Sequence, residues 1–298
     1  MSDLPTRKDD MPVEMDRVVA HDAPVRKLAD GFKFLEGPVW LGDRLVFSDI
    51  PASKMYVWSA SAGVSVYRDE SHNANGNTTD SDGHLYTCEG ESRCVSITEP
   101  AIGGERRVLV DSYVDGGEPL PLNRPNDVVV HPKTGAVFFT DPVHGMSDDK
   151  FAKHSSYGGM WVFRLDAGAT SAVPAVRDFE RPNGLCFSPD LSKLYINDDS
   201  RKHVRVFDLA DDGSLSGGTV ICEIDEGVPD GMRVDTGGRL FVTAGDGVHV
   251  FQPDGTRIGK ILCPESPANC RFGGDGMKTL FMTSRTGLYA VDTLVEGI

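Results

Sequence analysis

One short pattern recurs six times along the chain: a small or polar turn, then an alternating strand led by a large apolar residue. The copies are Leu45-Val46-Phe47-Ser48-Asp49, Leu85-Tyr86-Thr87-Cys88-Glu89, Val137-Phe138-Phe139-Thr140-Asp141, Leu194-Tyr195-Ile196-Asn197-Asp198, Leu240-Phe241-Val242-Thr243-Ala244 and Leu280-Phe281-Met282-Thr283-Ser284. Their leading residues stand 40, 52, 57, 46 and 40 positions apart. That is near the length of a four-stranded propeller blade, with insertions behind the longer intervals. A second strand follows each copy (Met55–Trp58 after the first, Leu288–Val291 after the last), and an outer strand precedes the next blade. The sixth copy has no outer strand after it. The stretch Val25-Arg26-Lys27-Leu28, running on to Phe32-Lys33-Phe34, supplies one, because a propeller must close its ring to remove its sheet edges. No segment sustains a helical period. The pattern predicts an all-β, six-bladed β-propeller over residues 23–298, its N-terminal strand closing the last blade. Residues 1–22 read as a loosely ordered polar leader, and 141–158 as an insertion over one blade.

Composition narrows the partners. The 298 residues carry 45 Asp and Glu against 30 Lys and Arg, a net charge of -15. Such a balance argues against nucleic-acid binding, which needs a basic face, and against docking on anionic membranes. A cation or an electron-poor small substrate suits this field better. No apolar run approaches the ~20 residues of a membrane span. The start, MSDLPTRKDDMPVEMD, lacks the apolar stretch of a secretory signal, so a cytoplasmic protein is expected. Six cysteines form no CxxC pair. They read as reduced and mostly buried, although Cys88 and Cys94 could meet across a hairpin as one local disulfide.

The innermost strand of each blade lines the channel, and the residues opening it read Glu36-Gly37-Pro38, Asn75-Gly76-Asn77, Asn126-Asp127-Val128, Asn183-Gly184-Leu185, Asp230-Gly231-Met232 and Asn269-Cys270-Arg271. The equivalent position therefore carries Glu36, Asn75, Asn126, Asn183, Asp230 and Asn269. Any one copy also fits a tight turn entering a strand. Six copies ending in a carboxylate or amide oxygen, aimed at one axis, suit a hard cation such as Ca²⁺. Zinc normally recruits His or Cys, absent at these positions. A second set follows at the end of the leading strand: Asp49 and Glu89 read as solvated turn acids, Asp141 and Asp198 as groups that orient ligands or substrate from behind.

Taken together, Glu36-Gly37-Pro38-Val39-Trp40, Arg124-Pro125-Asn126-Asp127, Phe139-Thr140-Asp141-Pro142, Arg181-Pro182-Asn183-Gly184-Leu185 and Asp230-Gly231-Met232 give a specific joint pattern. The chain resembles the senescence marker protein-30/gluconolactonase/luciferin-regenerating-enzyme family, most of all its bacterial gluconolactonase-like members, over about residues 25 to 293. The resemblance implies one divalent ion, Ca²⁺ first with Zn²⁺, Mn²⁺ or Mg²⁺ as alternatives, held by Glu36, Asn183 and Asp230. It implies Asp230 as the base, and Arg124 with Asn126 beside the substrate. The stretch Thr140-Asp141-Pro142-Val143-His144 departs from the animal members, so sugar preference does not carry over.

The expected activity is a metal-dependent lactonase that opens a sugar (aldono-)lactone by metal-activated water. Asp141 and His144 stand as reserve bases or substrate contacts. No GxSxG elbow occurs, and Gly273-Gly274-Asp275-Gly276 lacks the lysine of a phosphate loop. Two alternatives remain: a phosphotriesterase or fluorophosphatase using the same site, and a non-enzymatic binding propeller stapled by the ion. The partner in the leading case is a small lactone, with neither nucleic acid nor membrane. Oligomeric state stays open.

Overall fold

Period-two alternation leaves each strand with two packing faces, and the apolar residues of both are buried between neighbouring sheets. The computed structural model describes residues 6–100, 103–144, 150 and 153–298. Six four-stranded antiparallel units stand around one axis. Blade 1 runs Leu35–Trp40, Leu45–Asp49, Lys54–Ser59, Gly63–Arg68, from channel to rim. Blade 2 is Ala74–Thr79, Leu85–Glu89, Cys94–Thr98, Arg106–Val110, and blade 3 is Val128–Val130, Val137–Asp141, Trp161–Leu165, Val173–Val176. Blade 4 is Pro182–Phe187, Lys193–Asp198, His203–Leu209, Leu215–Glu223, and blade 5 is Met232–Val234, Leu240–Thr243, Gly247–Phe251, Arg257–Leu262. Blade 6 contributes Pro267–Gly273, Thr279–Ser284 and Gly287–Asp292. Its fourth strand is Arg26–Asp30, with Arg26 opposite Ala290 and Lys27 opposite Tyr289, the closure expected from the sequence.

Apolar residues meet mostly between blades rather than in one central mass. Leu35, Leu45 and Phe47 of blade 1 pack on Phe281, Leu288 and Ala290 of blade 6. Trp40 stacks on Phe281 across the same seam, ring centres 5.3 Å apart. Blades 5 and 6 share Phe241, Val248, Val250, Phe272, Leu280 and Met282.

The N-terminal segment differs from the leader expected over 1–22. Arg7–Asp9 forms a fifth strand on blade 5, Arg7 opposite Ile261 and Asp9 opposite Gly259. The short helix Pro12–Met15 then folds back, and Met15, Val18 and Val19 are fully buried with the core of blades 5 and 6. The polar composition hid three apolar side chains at 15, 18 and 19, enough to seat one turn on a sheet. Of the insertion expected over 141–158, residues 145–149, 151 and 152 lie outside the described residues. No helix among the described residues is long and apolar enough to cross a membrane.

All six cysteines are free. In the hairpin register Cys88 faces Val95 and Cys94 faces Glu89. Adjacent positions alternate faces, so the two sulfurs point to opposite sides of the sheet and the local disulfide does not form.

Replacing Met15 with Ala leaves a cavity under the blade 5 edge, and urea unfolding should show a loss of about 2–5 kcal/mol. A change below about 0.5 kcal/mol would mean that the N-terminal segment contributes nothing to the core.

Candidate active site

Antiparallel pairing fixes which residues are equivalent at the channel. The residues opposite the six leading positions are Trp40, Thr79, Val130, Phe187, Val234 and Phe272. Four positions before them stand Glu36, Asn75, Asn126, Asn183, Asp230 and Ala268. The ring of oxygen-bearing side chains therefore has five members, with Ala268 in the sixth place. Asn269 lies one residue further along, level with Gly37, Gly76, Asp127, Gly184 and Gly231. The hairpin turns differ in length from blade to blade, so residue spacing alone could not detect the slip.

The displaced residue has a distinct task. Asn269 is buried and its Nδ2 donates to Glu36 Oε2 at 3.0 Å. Space for its amide exists because Gly231 has no side chain: a Cβ there would stand 2.0 Å from Asn269 Cγ. Asp127 uses the corresponding gap at Gly76, where a Cβ would stand 2.4 Å from Asp127 Oδ1. Glycine at this level lets polar side chains of the neighbouring blade slide in toward the axis.

Glu36, Asn75, Asn126, Asn183 and Asp230 open together onto a cavity of about 400 Å³ at the end of the propeller where the inner strands begin. Arg124, Arg181, His144 and Asp199 line the same cavity. Of the residues expected to hold the ion, act as base or contact substrate, Glu36, Asn183, Asp230, Arg124, Asn126 and His144 are thus brought together. The exception is Asp141. It is fully buried and its carboxylate accepts the backbone N–H groups of Asn123 and Arg124, both at 2.7 Å, and the hydroxyl of Tyr157. Asp141 fastens the loop that carries Arg124 rather than touching the cavity.

Asp141 belongs to a repeated device. Asp49 accepts from the backbone N–H of Lys33 and Phe34 at 3.0 and 3.1 Å. Asp198 accepts from those of Glu180 and Arg181 at 2.8 and 3.2 Å. In each case an acid ending the second strand ties down the loop entering the first. Asp49 and Glu89 are accordingly buried, contrary to their expected exposure. Glu89 serves differently, accepting from Ser96 Oγ and from the Arg106 guanidinium. Only burial in the assembled blades distinguishes these acids from ordinary turn acids.

Two charged residues of the cavity were not among the expected site residues. Arg181 opens a second Arg-Pro-Asn triplet matching Arg124-Pro125-Asn126, a signal that was present but followed only for Arg124. Asp199 is buried and receives Arg181 Nη1 at 3.3 Å and His144 Nε2 at 2.8 Å. Nothing in the chain around Asp199 distinguishes it from its neighbour Asp198.

The electrostatics of the cavity are those of crowded acids. Burial, then the neighbouring Asp127, pushes the Glu36 carboxyl up to about 7, against the opposing effects of the Gly37 N–H and the Asn269 amide. Burial also raises Asp230 well above the ordinary carboxyl range, aided by Glu36, Asp199 and Asp127. Asp127 is raised by burial as well, with Arg233 pulling the other way. Meanwhile the buried Oδ1 of Asn183 and that of Asn75 have no hydrogen-bond donor. Unpartnered acceptors beside two carboxylates reluctant to ionise form a site short of positive charge. Oxygen donors of this kind fit a hard divalent cation, and Glu36, Asn183 and Asp230 are residues whose oxygens could hold one.

A different acidic group, Asp80, Asp82 and His84, lies in the blade 2 hairpin turn at the opposite end of the strands. Asp80 there accepts from the N–H groups of Asp82 and His84 at 3.0 and 2.9 Å, which accounts for the cluster as a turn.

Residues 34–286 match the SMP-30/gluconolactonase/LRE-like region. The chain belongs to that family. The gluconolactonase of Zymomonas mobilis subsp. mobilis is 33% identical, with 95% of this chain and 85% of the relative aligned. Pentonolactonase XacC of Haloferax volcanii is 28% identical over 85% of this chain and 81% of its own length. The solved gluconolactonase of Xanthomonas campestris superposes with a TM-score of 0.87 at 28% identity, covering 98% of this chain and 96% of that one. Within the SMP-30/gluconolactonase/LRE-like family frame, all five cavity-facing ring residues fall inside the matched span.

Glu36 sets a pH dependence. Its folded pKa of about 7 lies above the ordinary 4.5, so in chelator the fold retains a proton that the unfolded chain has released. Stability of the cation-free protein therefore falls as pH rises across that window. A divalent cation replaces the proton. The gain in melting temperature from millimolar Ca²⁺ over EDTA should grow from about pH 5 to about pH 8. A gain independent of pH would place the binding oxygens elsewhere.

Proposed function

We propose that the chain is a metal-dependent lactonase, a gluconolactonase-like carboxylic ester hydrolase that opens an aldonolactone ring with water. The observation that carries this reading is the cavity itself: Glu36, Asn183 and Asp230 line it together with Arg124 and Asn126, and an Asn183 oxygen lacks any donor. The gluconolactonase and pentonolactonase relatives support the ester class. Ca²⁺ is the favoured ion because every donor is an oxygen. When bound, such an ion polarises a carbonyl and acidifies a water.

The chain's own residues supply the rest. Asp230 accepts the proton of the attacking water at its carboxylate, which a neighbouring divalent cation would keep ionised against the burial and the acids that otherwise favour its protonated form. Glu36 is held in one orientation by Gly37 N–H and Asn269 Nδ2, at 2.6 and 3.0 Å. Arg124 enters the cavity from a loop pinned by Asp141, and its side chain packs beside Gly90, where a Cβ would stand 3.2 Å from Nη2. It and Asn126 donate to the hydroxyls and ring oxygens of the lactone. The volume, about 400 Å³, matches one sugar-sized ring rather than a polymer.

A pH-indicator assay over sugar lactones tests the reading. Turnover should require added Ca²⁺ or another divalent ion and disappear in EDTA. Asp230→Asn should lower kcat by at least about 10²-fold, whereas Arg124→Met should act mainly on KM, by about tenfold. Chelator-insensitive turnover would overturn the metal mechanism. Hydrolysis of phosphotriesters without any lactone turnover would replace the substrate class.

A further inference from the structure

The channel has a second mouth, at the end where the inner strands finish, and its charge is opposite to that of the first. Arg233 and Arg271 occupy equivalent positions in blades 5 and 6, opposite Phe241 and Phe281. Blades 1 to 4 place Val39, Thr78, Val129 and Cys186 there. Both arginines line a cavity of about 250 Å³ together with Thr78 and Thr79.

The two guanidinium groups are unequally satisfied. Arg233 is 5% exposed; its Nη1 donates to Met232 O at 2.6 Å and stands 3.9 Å from Asp127 Oδ2, but its Nε is buried without a partner. Arg271 is poorer. Its Nε is also buried and unpartnered, and no described residue accepts a hydrogen bond from its guanidinium or forms an ion pair with it. Burial and the nearby Arg233 push its pKa down to about 10. One carboxylate, Asp127, stands near both guanidinium groups, of which Arg233 is buried and Arg271 is partly exposed, and it is shared with the acids of the upper cavity. Two cations that line one cavity with so little countercharge repel each other and are costly to hold there.

We propose that this lower mouth binds a small oxyanion, a carboxylate or phosphate group, gripped by the forks of Arg271 and Arg233 with the hydroxyl of Thr78, at the equivalent position of blade 2, as a further donor. The planar five-donor guanidinium matches two oxygens of such a group at once, which a diffuse surface lysine does not. The cavity volume admits a free phosphate or the carboxyl end of a short acid and excludes a nucleotide. The proposal is independent of the chemistry assigned to the upper cavity.

The test uses the full chain and its Arg271→Met and Arg271→Lys variants, titrated with inorganic phosphate, with an aldonate salt and with chloride at matched ionic strength. Calorimetric binding and melting temperature are the readouts. Phosphate or the aldonate should bind the unsubstituted chain and raise its melting temperature beyond chloride. A response to phosphate alone identifies a free-phosphate site, and one to the aldonate alone a sugar-acid site. In Arg271→Met the dissociation constant should rise at least tenfold, with Arg271→Lys between the two. Because the Met variant removes a cation that is repelled by Arg233, in chloride it should melt no lower than the unsubstituted chain. Equal responses to all three salts, or undiminished binding by Arg271→Met, would overturn the site. A Met variant that melts several degrees lower in chloride would do the same, by showing that Arg271 is already satisfied within the fold.

Discussion

Everything at the channel depends on one ladder of backbone hydrogen bonds, that between Arg26–Asp30 and Gly287–Asp292. It joins two ends of the chain more than 250 residues apart and converts an open array of sheets into a ring. The Arg26–Asp292 ion pair, 2.6 Å on the closing strand, accompanies it at the surface, where it contributes little by itself. The Trp40–Phe281 stack and the shared core of blades 1 and 6 seal the same seam. Without closure the six inner strands would have no common axis, and side chains from blades as distant in sequence as 36 and 230 would not meet.

Once the ring closes, its axis gathers charge that individual blades could have left in water. Glu36, Asp127 and Asp230 are brought within each other's field at one end, Arg233 and Arg271 at the other, with Asp127 between. Neither end is balanced by protein alone. The upper acids are pushed toward the protonated form, and Arg271 lacks an acceptor. A structure selected only for stability would fill such positions with apolar side chains. The two proposed ligands, a cation at the upper end and an oxyanion at the lower, would each supply the missing charge, with the same buried aspartate between them.

Much of this was legible in the chain. The leading strands were recognisable because each places alternating large apolar residues between polar turns, and the observed limits Leu45–Asp49, Leu85–Glu89 and Val137–Asp141 coincide with the pattern. Glu36, Asn126, Asn183 and Asp230 were visible because a repeat turns sequence equivalence into spatial convergence. Asn269 was misplaced by one residue since its amide imitates the ring chemistry while hairpin length shifts the register. Asp141 and Asp199 show the complementary difficulty. An acid at a strand end has the same local sequence whether it caps a buried loop or lines a cavity.

The sequence by itself determined the blade count, the closing strand and the oxygen-rich end of the channel, because those follow from periodicity and from residue type at repeated positions. Only the tertiary structure decided that Asn269 supports Glu36, that Asp141 lies behind the cavity wall, that Met15, Val18 and Val19 belong to the core, and that Arg271 stands without a partner among the described residues. Each of these depends on which side chains from different blades come into contact, and on how much water is left between them. Local pattern does not encode those quantities, whereas closing the ring sets them all together.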